Sequence, residues 1–536
     1  MVQKTSIMSV AQPPNPTAPQ DTVQDVSGRG RMVQNVLGSW GAQCVFIVAG
    51  FIMPRMIDGH LGQESLGIWD FGWSVVAYFD LVSLGVIGSI NRYVAMHRAT
   101  GNLDALNRSI SSVFCILSLV SAFVVLLSVG AAVAVPQFAQ ARVGAHSQEV
   151  AWVILFLGLA SALQTWSYIF AGVLTGCHHW RIHNMINAGG YALAVTGMLI
   201  ALALGCGLGT LAVVYLFGEV LRAGVRFRMA YWACPDLKVR MGLADWKTAR
   251  GMMHFGSKSF VPQVAELLLN QTVSILIVCY LGAAALALYS RPRSLVLQVR
   301  TLVYKMAAVL TPAASSLQAL KSHADIAALV IKATRYGVFL TLPLTITFVV
   351  FGGPLLQLWM GPRYDDSALF MILAIGYASF IIQVPALSIL TGLNIHGQPG
   401  LVNLAVSIGA AGAVALTLGP LKLGLRWMAV AATFPLAITY AVYLPLYTCR
   451  RLNIAFDKYV QMAVLDPLVT LIPFAACLVA VRLALPHNPR CALFIGGVLG
   501  GMVLGLVYWR KVLPGSLKTA IRQRCTRMSL SFVHGT

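Results

Sequence analysis

Residues 150–175 read VAWVILFLGLASALQTWSYIFAGVLT, a run of 26 without one Asp, Glu, Lys, Arg or His. Wound as a helix at 1.5 Å per residue, such a run is about 39 Å long, enough to cross a hydrocarbon core about 30 Å thick. The run is not isolated. Working outward in both directions gives about fourteen segments of this kind, near 33–55, 66–92, 109–135, 150–175, 185–204, 207–227, 253–281, 283–314, 335–358, 367–391, 399–419, 427–448, 461–483 and 491–509. The composition agrees: of 536 residues 58% are hydrophobic and only 10% charged, with a mean hydropathy of +0.77. A soluble domain carries about 25% charged residues, so soluble enzymes, disordered chains and disulfide scaffolds are excluded. A membrane β-barrel would alternate in ten-residue segments, and this chain does not. The expectation is an all-α polytopic membrane protein.

Charge then orders the spans. The 38 Lys and Arg exceed the 17 Asp and Glu. They concentrate in the even-numbered loops (Arg98, Arg108; Arg226, Arg228, Lys238, Arg240, Lys247, Arg250; Lys321, Lys332; Arg450, Arg451, Lys458) and after Arg510. Odd loops such as MIDGHLGQESLG and GPRYDDS are nearly free of them. By the positive-inside rule both termini and the even loops face the cytoplasm. The basic excess is thus topological, and no nucleic-acid partner is expected. The ten cysteines form no CxxC and lie mostly in apolar runs, where they read as small packing residues. Residues 1–32 are polar and Pro-containing and read as a disordered cytoplasmic tail. The region after 510 reads as a basic tail, with Leu513, Leu517 and Ile521 beside Lys518, Arg522 and Arg524 suggesting an interfacial helix.

An internal repeat divides the rest. Leu61-Gly62 before Leu66 and Trp69 matches Leu281-Gly282 before Leu286 and Tyr289, an offset of 220 that also pairs Gln43 with Gln263. Leu174-Thr175-Gly176 with Asn187 matches Leu390-Thr391-Gly392 with Asn403 at 216, and Asp104 falls near Asp325 at 221. Six spans separate the copies, so the repeats run parallel, as in many transporters. The expected organisation is a tail (1–32), an N-lobe of six helices (33–230), a basic cytoplasmic linker (231–252), a C-lobe of six (253–450), two further helices (451–510) and the basic tail (511–536).

At this point the chain resembles a family. The stretch LGQESLGIWDFGWSVVAYFDLVSLGVIGSINRYVA (61–95), after an apolar first helix, carries LG-x3-LG with an aromatic residue and a Gly-rich second helix ending in Arg92-Tyr93. It resembles the first helices of bacterial polysaccharide-type flippases of the multidrug/oligosaccharidyl-lipid/polysaccharide exporter superfamily. The short LTG loops after spans 4 and 10 fit as well. The resemblance implies an inner-membrane flippase, not an enzyme, for a polyprenyl-pyrophosphate-linked oligosaccharide. Working by alternating access, it would have no cofactor and would serve beside polysaccharide assembly proteins. The absence of a P-loop argues against direct ATP coupling and leaves a proton, sodium or the membrane potential. The rivals are a lipid II flippase, a multidrug antiporter (for which an acidic cavity is expected) and a membrane polymerase or ligase, which needs a larger exterior loop than this chain has.

Ionisable residues inside the bilayer cost several kcal/mol unless they face protein or water, which makes each a candidate for function. These are Asp70 and Asp80 on span 2, Glu219 on span 6, Lys258 and Glu266 on span 7, and Arg291, Arg293, Arg300 and Lys305 on span 8. A helix with four cations must line a wet cavity. Arg293 and Arg300 share one face, suited to gripping a pyrophosphate or acidic sugar, and Arg291 and Lys305 share another. The competing reading is structural ion pairing, for instance with Glu266. Adding 220 to Asp80 gives Arg300, which suggests that those two oppose each other across the lobes. Asn270 and Gln271, a turn beyond Glu266, could bind sugar hydroxyls or tie helices together. His179 and His183 have i,i+4 spacing but no nearby Cys or carboxylate, so no metal is expected.

Overall fold

Inside hydrocarbon every backbone N–H and C=O must find its partner within its own segment, and the helix does this for an apolar run. The computed structural model describes residues 29–79, 81, 84–143, 146–257, 260–513, 515 and 518–519. These are helices joined by short turns, with no strand among the described residues. Thirteen helical stretches are long and apolar enough to cross a bilayer. Within the remaining expected span, 66–92, the described residues form α2 (Gln63–Phe79) and α3 (Leu84–Ala99). Asp80 and Lys258 lie outside the described residues.

The first group comprises α1 (Arg29–Leu61), α2, α3, α4 (Leu103–Val143), α5 (Ser147–Gly176), α6 (Trp180–Ala203) and α7 (Leu208–Ala233), with α4 and α7 both against α5 and α1 against α6. A short α8 (Trp246–Ser257) follows the connection. The second group begins with α9 (Phe260–Leu267) and α10 (Val273–Leu281), joined by a π-helical turn, Leu268–Thr272. It continues with α11 (Ala283–Ala307), α12 (Leu310–Ala319), α13 (His323–Met360), α14 (Ser367–Ile382), α15 (Val384–Gly392), α16 (Gly397–Leu418), α17 (Gly424–Ile438) and α18 (Leu444–Leu452). Then α19 (Phe456–Val460), α20 (Asp466–Thr470), α21 (Ile472–Ala484) and α22 (Pro489–Val507) form the last two crossings; α20, α21 and α22 pack on α13. The seam between the groups is α2 against α11.

Several helices overrun the expected spans, because apolar character marks only the part in hydrocarbon. The helix α7 passes 227 to end at Ala233, and α13 starts at His323, not near 335. Past α7, the connection is held to α4 by its polar positions. Asn107 Oδ1 accepts from the N–H of Lys238 at 2.8 Å, Ser111 Oγ from Arg240 at 3.1 Å and Ser112 Oγ from Asp245 at 2.8 Å.

The backbone carries the repeat more plainly than the side chains do. Gly62 and Gly282, 220 apart, both have φ near +90°. Gly101 and Lys321 repeat a left-handed residue at the same offset, and His178 and Asn394 at 216. The LTG segments are also explained. A Cβ on Gly176 would stand 2.6 Å from the Val94 side chain and 3.3 Å from the Asn91 carbonyl. One on Gly392 would meet the Thr311 carbonyl at 2.3 Å and Ala314 at 3.1 Å, the same two positions 220 residues on. Each glycine therefore lets two helices of its own lobe touch. Gly392→Val is expected to destabilise the protein by about 1–3 kcal/mol through overpacking. Gly397→Val, where a Cβ meets nothing within 4 Å, should be nearly neutral. Thermal unfolding of the two purified variants checks this, and equal midpoints would contradict it.

Candidate functional site

The candidate site is built on α11, which faces the opposite lobe across the α2 seam. Close approach there depends on Gly67: a Cβ on it would stand 1.8 Å from the carbonyl oxygen of Ala283, so no other residue fits without moving a backbone. The row Arg291, Arg293, Arg300, Lys305 follows, extending over about 21 Å of helix at 1.5 Å per residue. Each cation has a different partner, and the differences sort their roles.

Arg291, 5% exposed, pairs with Asp70 across the seam. This joins the two lobes at the end carrying the α1–α2 turn at Gly62 and the 361–366 connection. There Tyr364 also donates to Asp58 Oδ1 at 2.7 Å, Trp359 Nε1 to the Phe51 carbonyl at 2.7 Å, and Arg55 to the Met360 carbonyl. A buried pair of this kind costs about 3–5 kcal/mol to break by removing one partner, so Arg291 and Asp70 are placed as a clasp between lobes. At the other end of the row Lys305 Nζ donates to Gln43 Oε1 of α1 at 2.9 Å and lies 5.3 Å from the Trp40 ring.

Between these ties are the two arginines expected to bind. Arg300 grips Glu266 of α9 with both terminal nitrogens, Nη2 to Oε2 at 2.8 Å, and stacks 5.0 Å above the Phe380 ring. The pair is partly open, with the Glu266 side chain 46% exposed. A partly exposed pair of this kind contributes less than a fully buried one. Arg293 has no carboxylate partner among the described ion pairs. It donates to the neutral Asn270 Oδ1 and lies 5.9 Å over the Tyr289 ring. Its Nε is buried with no hydrogen-bond partner among the described residues. Arg293 therefore has no carboxylate in direct contact, being met by Asn270 and Tyr377 with Asp70 and Glu266 acting from farther off, and Arg300 is paired with a partly exposed carboxylate. Asn270 owes its position to the π turn at Leu268–Thr272; such turns recur at functional sites.

The structure thus brings together Arg293, Arg300, Glu266 and Asn270, and gives Asp70 and Arg291 to the clasp. Arg300 pairs with Glu266, the structural alternative set out above. Whether it meets Asp80 lies outside the described residues, as does the position of Lys258. No group of His, Cys, Asp or Glu able to hold a metal occurs among the described residues.

With this arrangement in view, known proteins can be compared. The family model described as "Polysaccharide biosynthesis protein" matches residues 95–369, half of the chain. The chain belongs to that family. Among relatives, it is 25% identical over 422 residues to the "Uncharacterized membrane protein EpsK" of Bacillus subtilis, covering 76% of this chain and 81% of the relative. It is 20% identical over 344 residues to the "Putative O-antigen transporter" of Shigella flexneri, covering 62% and 80%. The fold matches that of a lipid II flippase, MurJ, in an inward closed conformation, with a TM-score of 0.65 and 12% identity over 90% of this chain and all of the other. This member of the polysaccharide biosynthesis family is thus a multi-pass membrane protein with the exporter superfamily's fold.

Around Glu219, the two cations of a buried charged cluster escaped sequence reasoning. Arg226, counted there among cytoplasmic loop cations, is 1% exposed inside the N-lobe. Its Nη1 donates to Ser167 Oγ and its Nη2 to Asn187 Oδ1, both at 2.7 Å. Arg222, not singled out at all, pairs with the fully buried Glu219 three residues earlier. The missed signal was there: Glu219, Arg222 and Arg226 follow at i, i+3 and i+7, one face of one apolar helix.

Proposed function

We propose that this protein is a flippase that moves a polyprenyl-pyrophosphate-linked oligosaccharide, a polysaccharide repeat unit, across the bacterial inner membrane by alternating access of its two lobes. The observation that carries this is the row of cations on α11. Arg293 has no direct carboxylate partner among the described ion pairs, and Arg300 is held by a partly exposed Glu266 that an anionic head group could displace. A pyrophosphate is the doubly charged, oxygen-rich group that such guanidiniums bind bidentately. An antiporter of cationic drugs calls for the opposite polarity. The name of one relative, "Putative O-antigen transporter", favours a polysaccharide unit over lipid II.

In this mechanism the head group displaces Glu266 from Arg300 while the prenyl tail stays in lipid. The clasp of Asp70 with Arg291 holds one end of the cavity closed until the lobes rock. Release follows when Glu266, with Asp80, competes again for the arginines, and a proton taken up by either carboxyl would time that exchange. Sodium or the membrane potential are the other drivers, and assembly proteins receive the product.

Deleting the gene should abolish the surface polysaccharide and accumulate lipid-linked repeat units inside the cell. Normal surface polysaccharide in the deletion strain would contradict the proposal. The orientation, with both termini and the LTG loops cytoplasmic, rests on the Lys and Arg asymmetry. In a variant without native cysteines, Cys placed at 178 or 396 should resist labelling from outside intact cells. Strong labelling at either would invert the topology.

A further inference from the structure

The buried cluster of the N-lobe borders a cavity that the proposed mechanism does not use. A groove of about 400 Å³ runs between α6 and α7, walled by Ile182, Met185, Leu193, Leu221 and Val225. Met185 and Leu193 are 60% and 55% exposed, so the walls are apolar surface within membrane-crossing helices. The exception to this lining is Arg222.

Two adjacent glycines shape the groove differently. A Cβ on Gly190 would stand 2.1 Å from Arg222 Cγ and 2.5 Å from Cδ, so its absence seats the arginine stem against α6. A Cβ on Gly189 would meet nothing within 4 Å, because it borders open space. Arg222 is 5% exposed, and its Nε has no hydrogen-bond partner among the described residues. Its terminal nitrogen pairs with Glu219, whose single charge faces two guanidiniums, since Arg226 is met by the neutral Ser167 and Asn187. The C-lobe lacks this charge: Asn403, the counterpart of Asn187, binds the phenol of Tyr440 at 3.1 Å. A buried excess cation with an idle donor, at the floor of an apolar groove, calls for an anion attached to hydrocarbon.

Arg222 lies five residues before 227, where the apolar span ends, so about 7.5 Å inside the hydrocarbon edge. A phospholipid phosphate keeps to the interface, whereas the carrier lipid of the flippase reading has to bring its phosphate through that level. We propose that the α6–α7 groove is a second binding site, for the prenyl phosphate end of the carrier lipid, with a phosphate oxygen accepting from Arg222 Nε and the prenyl chain lying along Met185 and Val225. This rests on the flippase reading above, but places a separate contact on the lobe opposite the α11 row.

The test uses the full-length protein in nanodiscs with a benzophenone-bearing geranylgeranyl phosphate, and maps cross-linked peptides. Wild type should label within 182–193 and 221–229. Unlabelled geranylgeranyl phosphate should suppress that labelling, and geranylgeraniol or phosphatidylglycerol should not. Gly189→Leu, which fills the groove without touching the ion pair, should reduce labelling at least about tenfold, the scale of losing one charge-assisted contact. Val225→Trp fills it from the other wall and covers the case in which the first variant folds poorly. Unchanged labelling in both variants, or equal competition by the alcohol or by phosphatidylglycerol, would overturn the inference. Flipping of lipid-linked oligosaccharide by the same wild-type preparation separates the two claims. Flipping without groove labelling removes this site alone, and groove labelling without flipping removes the reading on which it rests.

Discussion

Arg300→Ala is expected to abolish polysaccharide export while leaving the amount of inserted protein unchanged. Its ion pair is partly open, so losing it costs the fold little, about 0–1 kcal/mol. What the variant loses is the bidentate grip on the anion, worth about 1.5–3 kcal/mol for each hydrogen bond to a charged group. Arg300→Lys should rescue only in part, since a point charge keeps the attraction and loses the paired geometry. Glu266→Gln should behave differently: without its competitor Arg300 holds the substrate longer, and export slows although binding tightens. Surface polysaccharide measured against membrane protein level checks all three. Wild-type export by Arg300→Ala would remove the cavity assignment.

Glu219→Ala is expected to act on stability. The carboxylate is fully buried beside Arg222 and Arg226, themselves 5% and 1% exposed. Removing it leaves two guanidiniums in the N-lobe with no counter-charge, a loss of about 3–5 kcal/mol by comparison with other broken buried pairs. Glu219→Gln keeps the shape and an acceptor for Arg222 and should lose less. Thermal unfolding of the purified variants distinguishes them, and midpoints within a degree of wild type for both would show that the cluster contributes nothing to the fold.

The two arginine groups also show how far the sequence could be read. Spans were legible because hydrocarbon imposes one rule on every crossing segment, and Leu61-Gly62 with Leu281-Gly282 exposed the repeat because a left-handed turn demands glycine at both places. The α11 cations were legible because four charges in one apolar helix have few explanations. Their partners were not. Asp70 is 221 residues from Arg291 and Gln43 is 262 from Lys305, so those pairings depend on how the lobes meet. Asn270 was named, but its aim at Arg293 comes from a π turn that no apolar period reveals. Arg226 was misplaced because a cation near the end of an apolar run looks like loop, whereas α7 continues about two turns past it and buries it.

The most direct test of the central claim, that the α11 arginines carry an anionic lipid-linked sugar, is flipping in proteoliposomes with no other protein present. A fluorescent oligosaccharide on a polyprenyl pyrophosphate is supplied in one leaflet and its arrival in the other is followed with an impermeant quencher. The account predicts transfer by wild type, none above empty vesicles by Arg293→Ala or Arg300→Ala, and none for the same sugar on an uncharged prenyl ether. Equal transfer by wild type and by the Arg293→Ala, Arg300→Ala double variant would contradict it.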